Sequence, residues 1–179
     1  MKVLIDACVL YPTLLREIVV GAAKAGLFTP FWSHSILEEW RHAMARDGEE
    51  GRIAVEAEIA LLNLLFPDAA VDAFEDLIED LNLPDPDDRH VLAAAIAGRC
   101  DELLTLNLKD FPSRTLTSYG VLRRDPDGFL FEMHSAHPEV IGEVVNTAVS
   151  AALRRKPDVS ERGLMKRARV PRLGKALYD

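Results

Sequence analysis

Short apolar runs alternate with longer amphipathic stretches along most of this chain. Lys2–Ile5 is an apolar run that ends at Asp6, the pattern of a fully buried parallel strand. Further strands are predicted at residues 27–32, 102–106 and 115–123. Helices are predicted at residues 12–26, 34–46, 51–65 and 89–98, and after the break at Pro67–Asp68 to about Leu81. Ser33 is the predicted N-cap of the second of these helices. Strands that alternate with helices predict an α/β fold with a mostly parallel sheet.

The pattern changes after Gly128, beyond which it is only helical. Helices are predicted at residues 129–137 and 139–155, and the remaining tail, from Lys156 onward, is basic and weakly periodic. A chain of 179 residues fits one domain, or one domain with an extension. We therefore predict a domain at residues 1–127 and a helical C-terminal extension with a basic tail at residues 128–179.

Composition narrows the class of protein. Hydrophobic residues make up 49% of the chain and charged residues 28%, as in ordinary globular proteins. No apolar run approaches the roughly 18 residues of a membrane span, and no signal peptide is recognised. We therefore expect a cytoplasmic protein that does not act at a membrane. In that compartment Cys8 and Cys100, both in apolar surroundings, are expected to be reduced core thiols.

The charges are distributed unevenly. Residues 1–150 carry 12 Lys/Arg against 26 Asp/Glu, a balance of −14, whereas residues 151–179 carry 9 against 3, a balance of +6. An acidic body argues against a broad basic surface for nucleic acid, but it is compatible with acids around a metal ion and with phosphate contacts from the tail. A solvated acidic surface with a loose tail is the alternative. The candidate RNA-binding residues are Arg162, Lys166, Arg167, Arg169, Arg172 and Lys175.

Two acids are candidates near the first two strands. In parallel sheets ligands bind at the carboxyl ends of the strands, where Asp6 stands. In the helix that follows the second strand, Glu39 flanks the predicted buried face, whereas Glu38 is expected to point into water. Glu39 is therefore the better candidate, although such a residue is by itself more often a surface acid.

The third candidate lies in the acidic segment at residues 85–88. Asp85 fits a helix N-cap with Pro86 at the first helical position, and this explanation requires no function. It does not explain Asp88, which aligns with the apolar face predicted to pack on the sheet. We therefore select Asp88 as the ligand candidate and Asp85 as the cap.

The fourth candidate group follows the strand at residues 102–106. Thr105 and Asn107 share one side of an extended chain, and Asp110 follows closely, although turn chemistry alone would also select such residues. Together the four groups place carboxylates at one sheet edge, where they repel one another unless a cation is present. Oxygen ligands suit Mg²⁺, and also Mn²⁺, and such a site favours phosphodiester hydrolysis.

These segments resemble the four motifs of the PIN-domain ribonucleases. Residues 3–10 (VLIDACVL) are similar to the first motif, and residues 36–40 (ILEEW) to the second. Asp88 followed by residues 91–95 (VLAAA) is similar to the third, and residues 105–111 (TLNLKDF) to the fourth. Their order and spacing also match, with the closest pattern in VapC-like toxins of type II toxin–antitoxin pairs. The resemblance implies a PIN-like three-layer α/β fold with a mostly parallel central sheet.

The resemblance also implies roles for residues. Carried over by position, Asp6, Glu39, Asp88 and Asp110 are catalytic acids, with Asp6, Asp88 and Asp110 as ligands of Mg²⁺ or Mn²⁺. Thr105 supports them through its hydroxyl, together with Asn107. Asn107 stands where the family more often has an Asp, so one charge is lost. We expect one tightly held Mg²⁺, with a second arriving alongside the substrate.

The function implied is that of an endoribonuclease acting as a toxin. Its expected partners are an RNA substrate, a small antitoxin protein that lies over the active-site groove, and a second copy in a homodimer. A non-catalytic PIN module that binds RNA or a protein is the main alternative, since Asn107 removes a charge. A haloacid-dehalogenase-like phosphatase would need a second Asp two residues after Asp6, where Cys8 stands.

Overall fold

The computed structural model describes residues 1–72 and 75–179 of the chain. Five strands in this part of the chain form one sheet in the order β3-β2-β1-β4-β5. They are β1 (Lys2–Ile5), β2 (Thr29–Ser33), β3 (Ala70–Val71), β4 (Glu102–Leu104) and β5 (Leu122–Arg124). The central strand β1 runs parallel to β2 and to β4, and β2 runs parallel to β3. The predicted α/β fold with a mostly parallel sheet is confirmed.

Helices occupy most of the remaining described chain. They are α1 (Ala7–Leu10), α2 (Thr13–Lys24), α3 (His34–Ala45), α4 (Gly48–Leu65), α5 (Glu75–Asp80), α6 (Arg89–Ala97), α7 (Ser113–Ser118), α8 (Pro126–Ala136), α9 (Pro138–Arg155), α10 (Glu161–Arg167) and α11 (Pro171–Tyr178). A short 3₁₀ turn at Pro86–Asp88 precedes α6. None of the described helices is long and apolar enough to cross a membrane.

The internal contacts divide the chain into two compact units. Unit 1 comprises residues 1–11 and 28–123, and unit 2 comprises residues 12–27 and 124–179. Helix α2 therefore belongs to the same unit as the C-terminal helices α8 to α11, although it lies far from them in sequence. The domain boundary at residue 127 stays a prediction.

The topology of unit 1 determines where a ligand can bind. Val3, Leu4 and Ile5 are completely buried because β1 is the middle strand of the sheet. From β1 the strand order runs to β2 and β3 on one side, and to β4 and β5 on the other. Ligands of open parallel sheets bind where the order reverses, outside the carboxyl ends of the strands. In this chain that place lies after β1 and β4.

Local sequence signals explain the start of two helices in unit 1. The hydroxyl of Ser33 accepts a hydrogen bond from the backbone N–H of Ile36 (3.2 Å) and caps α3 as predicted. The carboxylate of Asp85 accepts from the N–H of Asp87 (3.0 Å) and caps the 3₁₀ turn, with Pro86 at its first position. The predicted N-cap role of Asp85 is confirmed, and it fixes the backbone that carries Asp88.

Two predicted elements are wrong. The strand expected at residues 115–123 is helix α7 over its first part, and only Leu122–Arg124 is a strand. Pro112 precedes α7, and Gly120 (φ +76°) follows it in the left-handed conformation that ends helices, so these flanking residues outweigh the β-branched residues between them. The segment expected to be one helix between Pro67–Asp68 and about Leu81 instead contains strand β3 and the short helix α5, and residues 73–74 lie outside the described residues.

The tail is folded, which corrects the expectation of weak periodicity. It forms α10 and α11, and its apolar residues Leu164, Met165, Val170 and Leu173 are buried. The Asp127 carboxylate accepts hydrogen bonds from the backbone N–H groups of Arg172 and Leu173 (3.0 Å each) at the start of α11. Within unit 2 these contacts attach the tail to α8, so the alternative of a loose tail is wrong.

Candidate active site

Asp6 lies at the point where the strand order reverses. Its backbone N–H donates to the carbonyl of Leu104 (3.1 Å), which places it beside Thr105 at the end of β4. The Asp6 side chain is buried, and its Oδ2 accepts a hydrogen bond from the Thr105 hydroxyl at 2.6 Å. Burial raises the pKa of the Asp6 carboxyl, and the hydrogen bonds from Thr105 and Cys8 oppose that rise. The structure therefore brings these two predicted residues together.

Cys8 is a further contact of Asp6. Its Sγ donates to Asp6 Oδ2 (3.0 Å) and accepts from the backbone N–H of Leu106 (3.2 Å). Burial, reinforced by the charge of Asp6, raises the pKa of Cys8 to about 12, so this group is a thiol that can donate to the carboxylate. Cys8 and Cys100 are both free, as predicted, but Cys8 is only half-buried and lines the site.

Three acids lie within ligand distance of one another. Oxygen atoms of Asp85, Asp88 and Asp110, one from each, all lie within 4.8 Å of one another. Burial raises the pKa of Asp88 to about 6, and the charges of Asp6, Asp85, Asp110 and Glu39 add to this rise. We call Asp85, Asp88 and Asp110 the acidic cluster. The carboxylates of the acidic cluster repel one another, and a bound cation would relieve this repulsion.

Asn107 connects the acidic cluster to the buried pair of Asp6 and Thr105. Its side-chain amide donates to Asp88 Oδ2 (3.0 Å), and its backbone N–H donates to the Thr105 hydroxyl oxygen (2.9 Å). The amide thus satisfies one oxygen of Asp88 without adding another negative charge. Where an Asp would repel Asp88, Asn107 restrains it.

Glu39 and Glu38 have different partners. Glu39 Oε1 lies 2.6 Å from Nε2 of His90, and the charge of Glu39 acts on both Asp6 and Asp88. Glu38 instead pairs with Arg41, at 2.6 Å from Nη1. The expected difference in burial is wrong, because the side chains of Glu38 and Glu39 are 40% and 46% exposed. Their partners, rather than their burial, distinguish these two acids.

His90 was not among the predicted site residues. Its side chain is 15% exposed, while Glu39 reaches it from a helix 51 residues earlier in the sequence. Burial lowers the pKa of His90, but the hydrogen bond with Glu39 and the charges of Glu39, Asp6 and Asp88 outweigh burial and raise it overall. Asp85 was predicted only as a cap, and no apolar periodicity pointed to its second place in the acidic cluster.

The donor set fits a hard divalent cation. Carboxylate oxygens that converge at one strand edge are the ligands that Mg²⁺ and Mn²⁺ prefer, and Mg²⁺ commonly completes its shell with waters and substrate phosphates. Asp88 and Asp110 lie in the acidic cluster, whereas Asp6 lies outside it and acts on Asp88 through its charge. All these residues belong to unit 1.

The predicted RNA-binding residues all lie in unit 2, where they differ in their contacts. Arg162 forms an ion pair with Asp179, and the Arg172 guanidinium lies 4.1 Å from the ring centre of Phe131. All six residues are exposed, and the other four are Lys166, Arg167, Arg169 and Lys175.

Comparison with known proteins gives two matches to this chain. A family model described as PIN domain matches residues 2–109. Over 64 residues the chain is 39% identical to a protein of Mycobacterium tuberculosis (strain ATCC 25618 / H37Rv) named Putative ribonuclease VapC50. That segment is 36% of this chain and covers only 38% of the relative's length. No solved structure gives a significant match.

Proposed function

Because this chain belongs to the PIN-domain family, we propose that it is a metal-dependent endoribonuclease that hydrolyses RNA phosphodiester bonds. The observation that carries the proposal is the convergence of Asp85, Asp88 and Asp110 at the carboxyl edge of the sheet, with Asp6 and Glu39 acting on Asp88. The name of the M. tuberculosis relative, which contains the word ribonuclease, supports the same activity.

The proposed chemistry assigns a task to each group. A bound Mg²⁺ or Mn²⁺ would lower the pKa of a water and stabilise negative charge on the phosphate. Asp88 and Asp110 would hold the cation, with Asp85 beside them in the acidic cluster. Asp6, fixed by Thr105, would contribute further negative charge at the same edge. Glu39 is the exposed acid and would orient water at the mouth of the site.

The activity is tested with single-stranded RNA and purified protein. We expect cleavage with Mg²⁺ or Mn²⁺ and its loss in EDTA, with recovery after excess Mg²⁺ is added. If the protein binds RNA but cleaves it under none of these conditions, the result would favour a non-catalytic PIN module, the alternative that Asn107 suggests. The hydrogen bond from the Asn107 amide to Asp88 favours the nuclease over this alternative, because it orders the Asp88 carboxylate even though Asn107 adds no charge.

We further propose that the protein is the toxin of a toxin–antitoxin pair. The support is the resemblance of its motifs to VapC-like toxins and the similarity to VapC50 over 64 residues. Expression of the chain in bacteria should arrest growth, and a small protein encoded beside its gene should restore growth when both are expressed. Unimpaired growth at high levels of folded, RNA-cleaving protein would contradict the toxin role. The homodimer stays a prediction.

Glu39→Gln should lower kcat for RNA cleavage by about 10-fold or more, whereas Glu38→Gln should change it by less than about 2-fold. Glu39 acts on Asp6 and Asp88 through its charge, while Glu38 is engaged by Arg41. The two substitutions make the same chemical change at adjacent positions of α3, so each is the control for the other. Equal losses of kcat in the two variants, or a larger loss in Glu38→Gln, would show that the different partners of Glu38 and Glu39 do not determine which of them acts in catalysis.

Neutralising exposed cations of unit 2 should weaken RNA binding. The triple substitution Lys166→Gln, Arg167→Gln and Lys175→Gln should reduce the log–log salt slope of single-stranded RNA affinity by about 2, at about 0.7 per phosphate contact. Substitution is a better test than deletion, because deletion would remove the buried residues of α10 and α11.

Arg162→Gln is the matched control for the tail, since Arg162 pairs with Asp179. We expect it to leave the salt slope nearly unchanged. An unchanged slope in the triple variant would mean that these cations do not contact RNA. RNA titrations at several salt concentrations measure both effects.

A further inference from the structure

The contact between His90 and Glu39 connects two segments of unit 1. Glu39 lies in α3 and His90 at the start of α6, two residues after Asp88. Nε2 of His90 and Oε1 of Glu39 are 2.6 Å apart, the length of a strong hydrogen bond to a charged acceptor. The His90 side chain is mostly buried, whereas the Glu39 side chain is 46% exposed. The more rigid partner is therefore the histidine.

The second nitrogen of His90 determines the direction of the hydrogen bond. Nδ1 is buried and has no hydrogen-bond partner among the described residues. A proton on Nδ1 of the neutral ring would leave a buried N–H unpaired and would direct the Nε2 lone pair at the carboxylate, and both are unfavourable. The neutral ring therefore carries its proton on Nε2 and donates to Glu39.

This donation uses one oxygen of Glu39 and leaves the other available. We propose that His90 is a positioning residue, whose Nε2–H holds the Glu39 carboxylate beside Asp6 and Asp88 so that Oε2 faces the divalent cation and its waters. The inference rests on the proposed function, since it assigns His90 a task at the same metal site. Hydrogen-bonded partners of metal-binding groups typically affect metal affinity or activity by about 10- to 100-fold.

A second histidine–glutamate pair, His34–Glu38, serves as a comparison, because Glu38 is the neighbour of Glu39 in α3. His34 Nε2 lies 3.5 Å from Glu38 Oε1, and the His34 side chain is 77% exposed. That pair is longer, more exposed and formed within one helix, and Glu38 is also engaged by Arg41. It has the same residue types as the His90–Glu39 pair but does not connect α3 to the segment of Asp88.

Mn²⁺ affinity in the absence of RNA tests the proposal. His90→Ala should weaken Mn²⁺ binding by about 10- to 100-fold, because the carboxylate of Glu39 loses its restraint. His90→Gln, which can present an amide N–H near the Nε2 position, should restore the affinity to within a few fold of wild type. His34→Ala should bind Mn²⁺ as the wild type does. Cleavage assays on the same proteins should show the loss in kcat more than in KM.

Nitrogen-15 NMR of the histidine rings provides a readout that needs neither metal nor RNA. In the metal-free wild type, His90 should show a protonated Nε2 in its neutral form, and Glu39→Gln should perturb this signal while Glu38→Gln should not. This measurement does not use His90→Ala, so it applies even if that variant fails to fold.

The positioning role, the hydrogen bond and the proposed nuclease activity would each be overturned by a different result. Wild-type Mn²⁺ affinity in folded His90→Ala, or equal losses in His90→Gln and His90→Ala, would exclude the positioning role. A neutral His90 ring protonated on Nδ1, or one insensitive to Glu39→Gln, would exclude the hydrogen bond itself. If the wild type binds Mn²⁺ with the expected differences among variants but cleaves no RNA, the positioning role stands and the proposed nuclease fails.

Discussion

Asp6→Asn should reduce metal-dependent RNA cleavage by at least about 100-fold while the protein remains folded. The substitution preserves the shape of the side chain and an oxygen that can accept from Thr105, but it removes a buried charge that acts on Asp88. Loss of a charged group of the site should exceed the 10- to 100-fold typical of an outer partner. Single-turnover cleavage measures the loss, and circular dichroism measures the fold.

Asp101→Asn is the matched control for Asp6→Asn. Asp101 lies just before β4, at the opposite end of the strand from Thr105, and its carboxylate accepts from the backbone N–H of Lys2 (2.7 Å). We expect nearly normal cleavage by this variant. Wild-type cleavage by folded Asp6→Asn, or an equal loss in Asp101→Asn, would contradict the assignment of Asp6 to the site.

Asp88→Asn should abolish cleavage and stabilise the metal-free protein. The pKa of Asp88 is raised from its ordinary value of 3.8 to about 6 in the folded state, so the folded protein binds this proton more tightly than the unfolded chain. Stability of the metal-free wild type should therefore fall as the pH rises from about 4 to about 6. Asn removes that dependence, and since Asp88 is only part-buried we expect a gain on the order of 1 kcal/mol at pH 7.

Urea unfolding in EDTA at several pH values tests this stability difference, and Mg²⁺ should then stabilise the wild type more than Asp88→Asn. Asp87→Asn is the matched control, because Asp87 is exposed and lies outside the acidic cluster. It should leave both cleavage and the pH dependence nearly unchanged. Full activity of Asp88→Asn would exclude Asp88 as a ligand.

Local signals in the sequence predicted much of the fold. The buried run before Asp6 predicted the central strand with its correct bounds, because a strand buried on both faces reads as a continuous apolar segment. Ser33 and Asp85 predicted the caps, since a cap is made by residues two or three positions apart. The carboxyl-edge rule also predicted that the segments of Asp6 and Thr105 would lie at the same edge of the sheet.

Features that depend on contacts between residues far apart in the sequence could not be predicted from it. The His90–Glu39 pair joins residues 51 positions apart, and no periodicity on either helix indicates it. The N-cap role fully explained Asp85, so the sequence provided no reason to place it in the acidic cluster as well. The Asp127 carboxylate, 45 residues before Arg172 in the sequence, accepts hydrogen bonds at the start of α11 and so contacts the tail. Propensity alone also favoured a strand at Thr115, where flanking turn residues produce a helix.

Diffraction from crystals soaked in Mn²⁺ will determine whether the acidic cluster holds a divalent cation. We expect an anomalous peak between Asp88 and Asp110, at coordination distance from an oxygen of each, about 2.1 Å for Mg²⁺ and similar for Mn²⁺. The same soak of Asp88→Asn crystals should show a much weaker peak or none. Bound Mn²⁺ elsewhere in the crystal, with no peak at Asp88 in the wild type, would exclude the acidic cluster as the metal site.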